Sequence, residues 1–263
     1  PETMGFGRAD GRYPRFLAAK YGSVEALNAA YGAAYPDFAA VRPVARAETD
    51  ADRRRLADYH AFYLSTIAEY AALLKSWLAE DGLGGYICHN AANPEMNALF
   101  PETVAAMGEG FLLGSDHYYN LDQNWPQNSP TPQYALRVMM SVDTLRALGM
   151  APVVFELPGG SPSDTPPILK EDLLACYMTN AALGAKGVNL YVLTGGPNAP
   201  GTGETADIYD YNALIRADGQ INETYAALQA YGDFARSHAW MQRAAREASV
   251  QVGFEWHALR CRG

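Results

Sequence analysis

From Gly85 onward the chain alternates short apolar runs with longer stretches of helical spacing, four times in succession. The apolar runs are "GYICHN", "FLLGSDHYYN", "APVVFELPGG" and "VNLYVLTGG". Between and after them come "NPEMNALFPETVAAMGEG", "YALRVMMSVDTLRALGM", "PPILKEDLLACYMTNAALGAKG" and "INETYAALQAYGDFARSHAWMQRA". Strands this short and this apolar are buried on both faces, and repeated strand–helix units give a parallel sheet. The spacing predicts parallel strands near 86–90, 111–118, 152–157 and 188–194, paired in chain order. Each ends in a loop rich in Gly, Pro, Asn, Asp or aromatic residues, where a (β/α)8 barrel builds its active site. A doubly wound sheet is the competing architecture, but no phosphate-cradling turn follows any of the strands.

The first 84 residues read as helical. "YPRFLAAKYG" breaks at Gly22, Ser23 caps a second helix, and Gly32 stops it. A long helix is predicted from about Asp50 to Glu80, with Leu56, Tyr59, Tyr63, Ile67, Tyr70, Leu74 and Leu78 along one face. Four strand–helix units make half of an eight-stranded barrel. The expectation is a TIM barrel of which this chain covers roughly strands 5–8, with residues 1–248 as its C-terminal half and 249–263 opening a following β segment. The first half is expected upstream of Pro1.

Composition narrows the partners. A net charge of −9 without a Lys/Arg run argues against nucleic acid and against an anionic membrane surface. No stretch approaches the roughly 20 apolar residues of a membrane span. Three Cys, at 88, 176 and 261, make neither a disulfide framework nor a zinc knuckle. No metal or organic cofactor is implied. Compartment and oligomeric state are left open.

Glu156 carries the chemistry. "VVFELPGG" places it at the end of an apolar strand, where ionisation is costly unless something offsets it. It reads either as a carboxylate capping a turn or as a nucleophile in a barrel mouth facing a second acid. Strict alternation sets Glu156 with Val154 and opposes both to Val153, Phe155 and Leu157. One strand earlier, His117 and Tyr119 share a face from which they could donate to Glu156, while Asp116 and Tyr118 share the other. Cys88 and His89, being adjacent on a strand, cannot form a thiol dyad. His89 or Asn90 is a candidate for the mouth. Gly201–Ala206 fits a loose dinucleotide pattern but lacks its strand–turn–helix setting. Aromatic residues crowd the strand ends, at Tyr118, Tyr119, Trp125, Tyr191, Tyr209 and Tyr211. Together with Asn and Asp they suit the apolar face and hydroxyl rim of a sugar.

Two stretches resemble known families. "FLAAKYGSVEALNAAYG" looks like the helix after the acid/base strand in glycoside hydrolase family 42. "GVNLYVLTGGPNAPGTGETADIYDYNALIRADGQINETYAAL" is similar to the last barrel strand and loop of family 35. Both belong to clan A of retaining barrel glycosidases and are chiefly β-galactosidases. The resemblance implies hydrolysis of terminal β-glycosides by double displacement, with Glu156 as nucleophile. It implies that His117, Tyr119, Tyr191 and either Tyr209 or Tyr211 contact the sugar. The acid/base of this clan follows an Asn at the end of strand four, and is expected just before Pro1, which would then lie about 10 Å from Glu156. Glu2 is the candidate within the chain. "FELPGG" lacks the Trp that follows the family 35 nucleophile, and "LTGGPN" replaces "FHGGTN", which leaves other clan A β-glycosidases, glucosidase, mannosidase or endo-glycanase, as alternatives. A non-catalytic carbohydrate-binding barrel is the alternative from another class.

Overall fold

A computed structural model describes residues 4–97, 99–118, 132–160, 168–203 and 207–253. Pro1, Glu2, Tyr119 and Trp125 lie outside them, as do residues 254–263. The chain divides into two units, one built mainly from residues 1–84 and 97–109, the other from 85–96 and 110–251.

The first unit is helical. Helices α1 (Arg12–Tyr21) and α2 (Val24–Tyr31) are separated at Gly22, and the Ser23 hydroxyl accepts from the Ala26 amide at 3.2 Å. Helix α3 (Asp50–Glu80) starts on a capping box in which Thr49 and Asp52 satisfy each other's backbone amides. Tyr13, Leu17, Leu27, Tyr31, Val41 and Phe62 form its core. The apolar face read along α3 is not the buried one: Tyr63, Tyr70 and Leu74 are exposed, and the buried positions are Asp58, Phe62 and Ala68. Asp58 tolerates burial because three donors reach it, Tyr31 Oη at 2.7 Å, Tyr21 Oη at 2.5 Å and Lys20 Nζ at 2.5 Å. Helix α4 (Leu99–Met107) packs along α3 in the same unit.

The second unit holds the sheet. Strands β1 (Ile87–Ala92), β2 (Phe111–Asp116), β3 (Val153–Pro158) and β4 (Gly187–Tyr191) are all parallel and lie in the order β1-β2-β3-β4. Helix α5 (Pro132–Ala147) joins β2 to β3, α6 (Lys170–Leu183) joins β3 to β4, and α7 (Tyr225–Ser237) follows. Val154 and Leu157 of β3 are fully buried against Val138 and Val142 of α5 and Leu173, Cys176 and Tyr177 of α6. Two short antiparallel strands, β5 (Gly196–Pro197) and β6 (Ile208–Tyr209), form a hairpin in the loop after β4.

Strict alternation fails at one place on β3. Ser115 pairs with Val154 and Asp116 with Glu156, so one step on β2 matches two on β3. On the other side Val154 pairs with Val188 and Leu157 with Leu190, three steps against two. One extra residue is therefore accommodated between Val154 and Leu157, a bulge that lets both of these face the helices. Glu156 does not share Val154's helix-facing side, as alternation had it, and its carboxylate turns to the opposite side. Gly114 makes room for the bulge, since a β-carbon there would overlap the Phe155 ring.

Candidate active site

The C-terminal ends of three adjacent strands converge on Glu156. Asn90, on β1, donates from its side-chain amide to Glu156 Oε1 at 2.8 Å and to Asp116 Oδ2 at 2.9 Å. Tyr118, just past β2, donates its hydroxyl to Glu156 Oε2 at 3.0 Å. Each oxygen of Glu156 thus receives a donor from a different strand end, which fixes the orientation of the carboxylate. Burial, then the charge and hydrogen bond of Glu156, push the Tyr118 phenol well above its ordinary range, so it stays a donor. The Tyr191 ring, at the end of β4, meets Tyr118 edge to face at 6.5 Å.

The donor expected from His117 and Tyr119 is supplied by the opposite face. His117 is buried, and both its ring nitrogens are engaged away from Glu156: Nδ1 with Asn180 Oδ1 at 2.5 Å and Nε2 with Ser115 Oγ at 2.8 Å. Because the amide oxygen can only accept, Nδ1 carries the proton and Ser115 donates to Nε2. Burial lowers the imidazole to about 4, against an opposing hydrogen bond from Asn180. Asn180 also donates to Tyr134 Oη at 2.8 Å, which ties the end of β2 into α5 and α6. The His117 amide donates to the Glu156 carbonyl at 2.8 Å. His117 therefore fixes the strand end from behind, and its neighbours Asp116 and Tyr118 reach the site. Nothing in the spacing of "SDHYYN" tells which of its two faces is buried; that depends on Ser115 and Asn180.

Asp116 was not singled out as a site residue from the sequence. Its Oδ1 is buried and has no hydrogen-bond partner among the described residues. Burial first and the charge of Glu156 second raise its carboxyl to about 6, with the Asn90 hydrogen bond opposing.

Tyr209 and Tyr211 sit in the loop after β4, their rings 5.4 Å apart and edge to face. Tyr211 and Asn212 both have positive φ, 47° and 53°, a conformation uncommon outside glycine and found at functional turns. Gly159 and Gly160 let this region close onto the end of β3. A β-carbon on Gly159 would strike the Val192 carbonyl, and one on Gly160 the Tyr211 carbonyl. Glu2, Tyr119 and Trp125 lie outside the described residues, as does Pro1, so the predicted separation of Pro1 from Glu156 is not measured. No three or more His, Cys, Asp or Glu side chains among the described residues are grouped to hold a metal ion. No helix among them is long and apolar enough to cross a membrane.

Residues 6–232 match the family model of glycoside hydrolase family 42, β-galactosidase. The chain belongs to glycoside hydrolase family 42. It is one of the two families that the sequence resembles. Among solved structures, the family 42 chain is similar to a polyextremophilic β-galactosidase from the Antarctic haloarchaeon Halorubrum lacusprofundi, with TM-score 0.65 and 20% identity over 95% of this chain and 38% of that one. It is also similar to an exo-β-agarase, with TM-score 0.59 and 16% identity over 91% of this chain and 32% of that one. A curated relative, a β-1,2-glucosyltransferase of Ignavibacterium album, is 21% identical over 92% of this chain and 34% of its own length. The family 42 chain thus spans 32–38% of the length of these three proteins, and its four-stranded parallel sheet is part of a TIM barrel.

Proposed function

We propose that this chain forms the C-terminal half of the catalytic barrel of a retaining β-glycosidase, β-galactosidase by family, with Glu156 as the nucleophile. The observation that carries the reading is the Glu156 carboxylate at the C-terminal end of β3, held at one oxygen by Asn90 and at the other by Tyr118. A carboxylate with both oxygens fixed is oriented for attack and loses little freedom in reaching the transition state. Glu156 attacks the anomeric carbon as the bond to the leaving oxygen breaks. A second carboxyl group, expected on strand four and ahead of this chain, protonates that oxygen. The same group then takes a proton from water, which displaces Glu156 and restores its charge with net retention. Tyr191, Tyr209 and Tyr211 present aromatic surface and hydroxyls to the sugar. In this reading residues 1–248 belong to the barrel, and 249–263 lead into the next segment.

The test is a trap. A 2,4-dinitrophenyl 2-deoxy-2-fluoro-β-galactoside incubated with the full-length protein should leave a fluorosugar ester on the peptide containing Glu156, read by mass spectrometry. Glu156→Gln should give no ester and lower turnover at least about 1,000-fold while the far-ultraviolet spectrum is unchanged. An adduct elsewhere, or turnover retained in the variant, rejects the assignment. A panel of nitrophenyl β-glycosides ranks galactose against glucose, mannose and longer chains.

A second reading is favoured by the curated relative, named as a β-1,2-glucosyltransferase. In that case the same glycosyl ester is intercepted by a sugar hydroxyl instead of water. Disaccharide products formed in the presence of free sugar, in place of hydrolysed sugar, separate the two.

A further inference from the structure

The side-chain amide of Asn90 has two protons, and each goes to a different carboxyl group, one to Glu156 Oε1 and one to Asp116 Oδ2. Two oxygens that accept from one nitrogen at these distances lie within about 6 Å of each other. That is close enough for two negative charges to oppose one another strongly when partly withdrawn from water. The two carboxyl groups are not equivalently supported. Glu156 has a donor on each oxygen, whereas Asp116 has one donor and a buried Oδ1 with none among the described residues. Ionised, Asp116 would leave a charged oxygen both dry and unpaired, and protonation removes most of that cost.

We propose that in weakly acid solution Asp116 and Glu156 act as one carboxyl pair carrying a single negative charge, with Asp116 holding the proton while Glu156 is a free carboxylate and releasing it to solvent when Glu156 is esterified. The proposal rests on Glu156 being the nucleophile. In the step itself, a Glu156 oxygen forms a bond to the anomeric carbon, and the leaving group departs with the electron pair of the bond that breaks. Glu156 then has no charge to oppose Asp116, which loses its proton to water. When the ester is hydrolysed, Glu156 recovers its charge and Asp116 its proton. Asp116 touches no reacting atom in this scheme. It is a positioning residue that keeps the site at constant charge through the cycle.

Among the described residues, the surrounding groups leave this role to Asp116. From β1, Asn90 does not titrate, and the His89 ring lies against the Asn90 backbone carbonyl. From β3 the partner is Glu156 itself. On its own side of the site, Tyr118 stays protonated, and the His117 ring is held by Ser115 and Asn180. Tyr191 of β4 meets the Tyr118 ring edge to face. The upward displacement of the Asp116 carboxyl to about 6 has burial and the Glu156 charge as its first two causes, as a shared charge requires.

The experiment follows protons during the trapping reaction with the full-length protein. At pH 5 in weak buffer with an indicator dye, a dinitrophenyl fluorosugar delivers a leaving group that takes up little proton. Wild type should release about half a proton per site more than Asp116→Asn, the difference cancelling any contribution from the acid/base group. Equal release by the two proteins overturns the proposal. A second arm needs no chemistry and no Asp116 variant: infrared titration of the protonated carboxyl band in Glu156→Gln. Removal of the neighbouring charge should lower the Asp116 midpoint by about one pH unit. An unmoved midpoint overturns the pairing, whatever the trapping result says of the nucleophile. An adduct missing from Glu156 with a midpoint that does move rejects the nucleophile reading, and with it the ester-linked proton release.

Discussion

The Tyr118 hydroxyl donates to Glu156 Oε2 across 3.0 Å, from the residue two places past the end of one strand to the carboxylate of the next. The tyrosine ring is held in turn by Tyr191, so three successive strand ends are linked through two phenol rings and one carboxylate. Removing only the hydroxyl leaves the edge-to-face ring contact in place.

Tyr118→Phe should therefore fold as wild type and lower kcat/KM by about 10- to 100-fold, the range of a hydrogen bond to a charged acceptor. Steady-state kinetics on a nitrophenyl glycoside check it. A change below about twofold would show that the hydroxyl does not orient the nucleophile.

Asn90→Ala removes a donor from two carboxyl groups at once. Its loss of activity should exceed that of Tyr118→Phe, and its thermal midpoint should fall further below wild type at pH 7 than at pH 4.5, where Asp116 is protonated in either protein. A paired melting series at the two pH values reads the second effect.

The strand–helix alternation was legible because its signal is local: apolar runs of strand length, separated by helical spacing, have one economical parallel arrangement. Glu156 and Asn90 were legible for a related reason, both being polar residues at the ends of apolar strands. The choice between Tyr118 and His117 was not, because two alternating faces look alike until it is known that Asn180, 63 residues away, meets the imidazole. The bulge in β3 was equally hidden. It depends on Gly114 of the neighbouring strand leaving space for Phe155, a relation between residues 41 apart. The apolar face of α3 misled for the converse reason, since three polar donors make Asp58 a buried residue.

Asp116 and His117 act oppositely on stability. The His117 imidazole is depressed to about 4 from its ordinary 6.5, so its contribution is present above 6.5 and lost as pH falls through 4. The Asp116 carboxyl is raised to about 6 from 3.8, so its contribution is present below 3.8 and lost as pH rises through 6. Asp116→Asn should thus gain thermal midpoint over wild type progressively between pH 4 and pH 6.5. His117→Gln should flatten the acid side of the curve. Differential scanning calorimetry across that window gives both slopes, and parallel curves for wild type and Asp116→Asn would contradict the first.

Gly114→Ala places a methyl group in the Phe155 ring and should destabilise the second unit by about 1–3 kcal/mol, the usual cost of overpacking. Denaturant unfolding at pH 7 measures it. Phe155→Leu in the same background should restore part of the loss by vacating the space.

Gly159 and Gly160 bring the chain just past the end of β3 into close backbone contact with Val192 and with the carbonyl of Tyr211. The aromatic loop is consequently seated on main chain just past the end of β3. A loop mounted that way can exchange its outward residues without disturbing its seat, while the seat itself accepts no side chain at all. Under the proposed function, sugar preference and the placement of Glu156 become separately adjustable: redesign of the loop between Tyr191 and Asn212 should alter what is held, provided the two glycines that carry it are left as they are.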